Sequence, residues 1–567
     1  MAHRTSSEGP DTGSGTDDHS EVGGGEPVGL PSVTQAVEAF AAVVGRGGAV
    51  SQELIGLATE LGRVLIGTST LAPATRDRRF ADPAWSQNPL FRRLVQAYLA
   101  TTGSLDALVD DLDAHVEDHR LAERARFTAN ILAAAAAPTN LLVTNPAGLK
   151  RAFDTGGASL LRGLRNMVDD LRHNSGMPAT VEPGVFQVGR DLALTPGAVV
   201  AREPLAELIQ YTPTTETVHE RPILIVPPPI GRYYFLDLRP GRSFVEFAVA
   251  SQLHTFLLSW RNPGPDQGEW DLEDYASTVL SAIDHVRAIT GSPEVNLVGF
   301  CAGGIINSTV LSHLAATRDA RVHSASFAVT MLDFGQRAPL AVYNDRTLLG
   351  LAGRRSKQAG VITSRQLGAA FTWMRPDDLV FSYVVNNYVL GERPPTFDIL
   401  AWNADGTNLP AALHHTFLEI FQHNSLTKPG ALAALGTPVD LSQINVPTFV
   451  TGAVSDHLTP WKACYRTTQL VGGDTTFVLS YSGHIASLIN PPGNPKAHYW
   501  QGGPAGADPD AWLDQATREQ GSWWEPWARW ATERSGSLIP APGAPGDAEH
   551  PALDPAPGRY VTAAATS

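Results

Sequence analysis

Val295-Asn-Leu-Val-Gly299-Phe300-Cys301-Ala302-Gly303-Gly304 is the stretch that decides the fold. Its apolar, β-branched start reads as a buried strand, and residues 305–316 have helical spacing, so the cysteine sits at a strand-to-helix turn. Such a turn is strained and packs tightly on neighbouring backbone, which explains Gly299 and Gly303 on either side of Cys301. The helix behind it presents unpaired N–H groups to developing negative charge. A chance turn around a small buried cysteine is the competing reading, and the strand-turn-helix context disfavours it.

Working outward, short β-branched runs alternate with helical segments, the pattern of a parallel sheet covered on both faces. Six runs are predicted as strands: 222–226, 255–260, 295–299, 325–331, 447–452 and 475–480. Between the second and third, Leu272, Tyr275, Val279, Ile283 and Val286 recur at helical steps. The connection from the fourth run to the fifth is far longer than such folds need, so about 332–446 is expected to carry its own structure as a cap or lid.

On the N-terminal side, Leu54, Leu57, Leu61, Val64 and Leu65, then Leu94, Val95 and Leu99, predict a mostly α-helical domain over 34–200. The α/β domain then spans 201–535. Residues 1–33 hold six acidic residues, one arginine and many Gly and Ser, and are expected to be a disordered tail. The Pro- and Ala-rich stretch 536–567 is expected to be another.

Bulk composition narrows the function. With 567 residues, 43% hydrophobic and 17% charged, the chain is long enough for two globular domains. A net charge of −15 without clustered Lys and Arg argues against a nucleic-acid partner. Two cysteines, Cys301 and Cys464, make neither a disulfide framework nor a metal-binding pattern, so no metal and no cofactor are expected and a reducing cytoplasm fits. The opening residues read as no secretory signal, and the most apolar stretch, 131–137, is too short for a transmembrane segment.

A nucleophile at such a turn needs an acid and then a histidine later in the chain, beyond the carboxyl ends of late strands. Asp456 follows the fifth predicted strand and His484 the sixth, in that order. This makes the chain an α/β-hydrolase fold by its own residues. His457 is a rival base, but adjacent residues rarely point the same way, and it is expected to support the acid loop instead. For the oxyanion hole, the Ala302 N–H is one donor; the other should come from Pro227-Pro228-Pro229-Ile230-Gly231, where prolines lack an N–H and leave Ile230 or Gly231. Cys464 reads as core packing.

With these residues in place the chain resembles the polyhydroxyalkanoate synthases from Asp77 to about Ser535. The segments that carry the resemblance include Asp77-Arg-Arg-Phe80, Ala137-Pro-Thr-Asn140, Tyr233-Tyr-Phe-Leu-Asp-Leu238, Ser259-Trp-Arg-Asn-Pro263 and Gly299-Phe-Cys-Ala-Gly-Gly304. Further matches are Arg375-Pro-Asp-Asp-Leu379, Trp402-Asn403 with Asp405 and Asn408-Leu-Pro410, Asp456-His-Leu-Thr-Pro-Trp461 and Gly483-His484. Pro229 and Gly231 depart from the pattern, since many relatives carry Cys and Asn there.

The resemblance implies a single-subunit enzyme, closest to class II, that polymerises (R)-3-hydroxyacyl groups from coenzyme A thioesters and releases coenzyme A. It implies Cys301 as nucleophile, His484 as base and Asp456 orienting the imidazole, with Asp456 also proposed to help activate the attacking 3-hydroxyl. A thiol of ordinary pKa, about 8.5, is mostly protonated at neutral pH, hence the base. The implied partners are the nascent polyester, the surface of cytoplasmic polyester granules and a second copy in a homodimer. Arg232 and Arg261 are candidate contacts for coenzyme A phosphates, and the face of Trp523, Trp524, Trp527 and Trp530 is either a docked helix or a polymer-contacting surface. Two rivals remain: a cysteine esterase, thioesterase or polyester depolymerase of the same fold, which yields free hydroxy acid, and a non-catalytic granule-coat protein, against which the intact Cys301, Asp456 and His484 set speaks.

Overall fold

The computed structural model describes residues 41–116, 119–182, 184–336, 346–503 and 505–565. The tail expected over 1–33 lies outside them. Among the described residues, the main helices of the N-terminal region are α1 Gly47–Ile66, α2 Pro89–His115, α3 His119–Ala135, α4 Pro146–Asp154 and α5 Ala158–His173. Two starts show how the sequence sets them. Asn88 caps α2 by accepting from the N–H groups of Leu90 and Phe91, and Asn145 caps α4 by accepting from Gly148, each with proline at the first helical position.

The helices end at His173, and the sheet begins at Gly197. Its strands are β1 Gly197–Arg202, β2 Ala206–Tyr211, β3 Ile223–Val226, β4 Thr255–Trp260, β5 Val295–Phe300, β6 Val322–Ala328, β7 Thr448–Ala453, β8 Thr475–Ser480, β9 His498–Gln501 and β10 Thr517–Gln520. They lie in the order β1-β2-β4-β3-β5-β6-β7-β8-β9-β10. The block from β4 through β8 is parallel throughout and contains all six runs expected from sequence. The flanking strands β1, β2, β9 and β10 are antiparallel additions.

Two of these outer strands, β2 and β10, escaped the sequence because polarity hides them. In β2 every residue is buried, yet Glu207 and Gln210 interrupt the apolar run. They are tolerated because Arg202 pairs with Glu207 and the Gln210 amide meets His254 Nε2 at 2.9 Å. β10 is Thr-Arg-Glu-Gln, an edge strand with little apolar surface.

Two helices cover the strand that carries the cysteine and its neighbours: α6 Leu272–Thr290 and α7 Ala302–Thr317. Asp271 caps α6 in a capping box with Asp274. Between β6 and β7 the insertion contains α8 Arg346–Ala359, α9 Ser364–Trp373, α10 Asp398–Ala404 and α11 Ala411–His423, with π-helical turns at Asp377–Phe381 and Val384–Val389. Helix α5 docks against the second of these turns. A Cβ on Gly163 would sit 2.0 Å from the Tyr388 carbonyl oxygen, so only glycine permits the approach. Around it, the Asn166 amide donates to the carbonyls of Asn387 and Glu392, and the Tyr388 hydroxyl donates to Asp170 at 2.8 Å.

On the opposite face, α12 Trp524–Thr532 brings the C-terminal tryptophans into the core. Trp523, Trp524 and Trp527 are each 1% exposed and surround Phe244, with Trp527 at 4.5 Å between ring centroids. Of the two readings of this aromatic face, the docked helix is the one found. Burying each such ring withdraws roughly 150–250 Å² from water, which makes this a principal anchor of the core.

The stretch after Ser535, expected to be a loose tail, is instead packed. Leu538–Pro540 pairs antiparallel with Thr217–His219. Further on, the chain runs along β1, with the Val199 N–H donating to the Asp554 carbonyl and the Ala556 N–H to the Gly197 carbonyl. Val561 is 1% exposed. Proline and alanine content says only that no helix will form. What orders the segment is a set of backbone partners on a remote strand edge, which composition does not record.

Candidate active site

The elbow is held by contacts that begin within the motif. Cys301 has φ 50° and ψ −122°, a strained conformation for a non-glycine residue. Its N–H donates to the Ala328 carbonyl at 2.9 Å, and its carbonyl accepts from the Thr330 hydroxyl at 3.0 Å. A Cβ on Gly299 would lie 2.7 Å from Gly304 Cα, one on Gly303 2.3 Å from the Val226 carbonyl oxygen, and one on Gly304 2.2 Å from Thr330 Oγ1. The three glycines are therefore required by close approach. Cys301 is half-buried, at the mouth of the sheet.

Strands β7 and β8 run in register from Thr448 opposite Thr475 to Ala453 opposite Ser480, so the loops beyond them emerge side by side. One brings Asp456 and the other His484. His484 Nδ1 meets Asp456 Oδ2 at 2.6 Å, and both side chains are buried. The remaining acceptor capacity of Asp456 is filled locally: Oδ1 takes the N–H groups of Leu458 and Thr459 at 2.8 and 2.9 Å, and Oδ2 takes the Thr459 hydroxyl at 2.8 Å. Burial pushes the Asp456 carboxyl up, but the His484 imidazole and the Thr459 donors outweigh it and hold the carboxyl below its ordinary value. For His484, burial pushes down, while the Asp456 carboxylate and hydrogen bonding to the Cys301 side chain push up, leaving it raised to about 10. With Nδ1 turned to the carboxylate, Nε2 is the nitrogen left for proton transfer.

Thr459 is the member of this site that sequence reasoning missed. Its signal was Asp456-His-Leu-Thr459, a carboxylate three residues before a hydroxyl, which is the spacing of a side-chain-to-backbone turn. His457, beside the acid, makes none of the carboxylate's hydrogen bonds. It is half-buried, its Nδ1 has no hydrogen-bond partner among the described residues, and burial with the nearby Arg375 charge lowers it to about 4. Cys464 is fully buried; burial raises its thiol well above the usual range, and it contacts the Thr459 carbonyl at 3.4 Å.

Of the oxyanion candidates, Ala302 is the first residue of α7 and is buried. Ile230 is half-buried in the loop after β3. The Gly231 N–H donates to the Thr407 hydroxyl at 2.8 Å, so of the two donors left open by the sequence, Gly231 is engaged and the Ile230 N–H has no hydrogen-bond partner among the described residues. Thr407 also donates to the Pro229 carbonyl at 3.0 Å, and Trp402 Nε1 to the Arg232 carbonyl at 2.7 Å. The cap insertion therefore holds this loop.

Arg232 does not fit the expectation of a phosphate contact. It is 8% exposed, pairs with Asp405 at 2.7 Å and donates to the carbonyls of Tyr560, Val561 and Ala563. Its N–H groups are committed within the protein. Arg261 stands with its guanidinium 5.8 Å from the Tyr560 ring centroid.

Among the described residues no cluster of His, Cys, Asp and Glu is arranged to hold a metal ion, and no helix is long and apolar enough to cross a membrane. Residues 76–248 match the family model described as poly-beta-hydroxybutyrate polymerase (PhaC) N-terminus, and residues 242–491 match that of the alpha/beta hydrolase fold. Poly(3-hydroxyalkanoate) polymerase 2 of Ectopseudomonas oleovorans is 46% identical over 512 residues, 90% of this chain and 91% of that one. The poly(3-hydroxyalkanoate) polymerase subunit PhaC of Cupriavidus necator is 39% identical over 500 residues, 86% of this chain and 83% of that one.

Proposed function

Because the chain belongs to the poly(3-hydroxyalkanoate) polymerases, acyltransferases on an α/β-hydrolase fold, we propose that Cys301 is the residue that carries the growing (R)-3-hydroxyacyl chain. His484 Nε2 takes the Cys301 proton and the sulfur attacks the thioester carbonyl, forming a new C–S bond and an oxyanion that the N–H groups of Ala302 and Ile230 receive. When the oxyanion collapses, the bond to coenzyme A breaks and the leaving thiolate takes the proton from His484. An acyl-enzyme thioester remains. Exchange of one thioester for another is nearly balanced, so the energy of the incoming bond is retained for the ester to come.

The 3-hydroxyl of a second acyl group then attacks the acyl carbonyl, forming an oxoester and freeing Cys301. We assign its deprotonation to His484. The family-derived idea that Asp456 helps activate this hydroxyl has no support in the geometry, since the Asp456 side chain is 0% exposed and both its oxygens are occupied. Asp456 orients and charges the imidazole instead. His457 we read as a support of the acid loop.

The observation that carries this reading is the 2.6 Å His484–Asp456 contact set beside the strained Cys301 turn. Water must be kept from the acyl-enzyme, and the insertion above the sheet is the element suited to that. We further read the enzyme as a cytoplasmic homodimer working at the surface of polyester granules, on the strength of the family resemblance. The test incubates the purified chain with 3-hydroxybutyryl- and 3-hydroxydecanoyl-coenzyme A and follows thiol release, turbidity and the mass of Cys301-containing peptides. Polymer with an acyl adduct on Cys301 is expected. Free hydroxy acid as the main product would make the chain a thioesterase, and an adduct elsewhere would overturn the assignment of Cys301.

A further inference from the structure

The C-terminal segment reaches Arg232, in the loop after β3, by a path that the reaction itself does not explain. Along β1 it is fixed by the backbone bonds at Val199 and Gly197, and the N–H groups of Arg559 and Tyr560 both donate at 2.9 Å to Glu207, whose side chain is fully buried. Gly558, at φ +80°, passes so close that a Cβ would lie 2.4 Å from Glu207 Oε2. The Tyr560 hydroxyl donates to the Glu203 carbonyl at 2.9 Å. Val561 then enters the apolar cluster that contains Phe300 and against which Cys301 packs.

At that point three successive features of the strap face one guanidinium. Arg232 Nη1 donates to the Tyr560 and Val561 carbonyls at 3.2 and 2.5 Å, Nη2 donates to the Ala563 carbonyl at 3.1 Å, and Nε donates to Asp405 Oδ1 at 2.7 Å. A buried cation is stable only when its donors are matched. Without the strap carbonyls Arg232 keeps its charge and one carboxylate, and it must move toward water to satisfy the rest. Trp402 and Thr407 still grip the main chain at the Arg232 carbonyl and the Gly231 N–H, but the side-chain anchor two residues from Ile230 is lost, and the loop gains freedom there.

We propose that the strap 554–563 is a positioning element of the active site, its carbonyl groups locking Arg232 and so fixing the 229–232 loop at the distance from Cys301 that the oxyanion requires. Arg232 is the positioning residue. The inference rests on the reading of the Ile230 N–H as an oxyanion donor. It means that residues 554–563, remote from the chemistry in sequence, set the rate of acyl transfer while leaving substrate binding alone.

The test compares the full-length protein with Arg232→Ala, Arg232→Lys and a chain ending at Arg559, which keeps the β1 contacts and the Arg559 N–H on Glu207 but loses the three carbonyls together with the Tyr560 hydrogen bonds and the Val561 packing. Amide exchange at 230–232 and steady-state thiol release from 3-hydroxydecanoyl-coenzyme A are both measured. In all three variants exchange at 230–232 is expected to accelerate while the elbow 295–305 stays protected, and kcat to fall about 10- to 100-fold with KM within about threefold. Lysine, a point donor, is expected not to restore the rate. Unchanged exchange in Arg232→Ala overturns the proposal, as does a normal kcat with a loosened loop. Ile230→Pro, which deletes the donor N–H, separates the two ideas. Full kcat in Ile230→Pro overturns the oxyanion reading, and the strap then stands only if Arg232→Ala still lowers kcat; a slow Ile230→Pro beside a normal Arg232→Ala overturns the strap alone.

Discussion

The elbow around Cys301 and the loop around Ile230, the two parts assigned above to the acyl-transfer step, are held in opposite ways. The elbow is fixed by its own glycines, by a neighbouring strand and by Thr330, all within a short run of chain. The 229–232 loop is fixed by Thr407, Trp402 and Asp405 from the cap, and by carbonyls at the far end of the sequence. A site can thus combine a part that folds with its own strand and a part assembled only when the whole chain has closed. The first kind resists distant changes; the second transmits them.

The largest effect expected from breaking this contrast is Cys301→Ala, which should lower thiol release by about four orders of magnitude or more and remove the acyl adduct, with little change in Tm. Next, Asp456→Asn should cost about 10³- to 10⁴-fold in kcat, because the amide presents the wrong partner to His484 Nδ1; pre-steady-state release of coenzyme A reads this step. On the loop side, Thr407→Val leaves the Gly231 N–H and Pro229 carbonyl without their hydroxyl, and a fall of about 10-fold in kcat at constant KM is expected from steady-state assays. Gly303→Ala should behave differently, since its Cβ meets backbone at the Val226 carbonyl. A loss of roughly 1–3 kcal/mol in denaturant titration is expected there.

The smallest effect sharpens the electrostatics. His484 is raised from an ordinary 6.5 to about 10, so the stability it contributes is complete below about 6.5 and is lost as pH rises through about 10. The Tm advantage of the parent over His484→Gln should therefore shrink across that window. Asp456 has the opposite sign: its lowered pKa gives stability that is present above the ordinary carboxyl value and lost as pH falls through the folded one.

Legibility followed the same division. Each strand of the parallel block announced itself, though the fourth lies at Val322–Ala328, three residues before the expected run, because strands buried on both faces are apolar runs and the Gly-x-Cys-x-Gly turn is forced by sterics. Asp456 and His484 were legible by order, since a loop after a late parallel strand has only one end of the sheet to occupy. Thr459 was half-legible as a turn partner. By contrast β2 was hidden by Glu207 and Gln210, whose burial is affordable only with Arg202, His254 and the C-terminal N–H groups in place. Arg232 looked like a surface cation available to phosphate for the same reason: its four acceptors lie in segments that no local pattern connects to it.

The packing of residues 554–563 bears on how the enzyme should be handled. A purification handle, fluorescent protein or immobilising peptide fused shortly after Ala563 would load the carbonyl that Arg232 holds. Such an attachment pulls on the active site with every tumbling motion of its cargo.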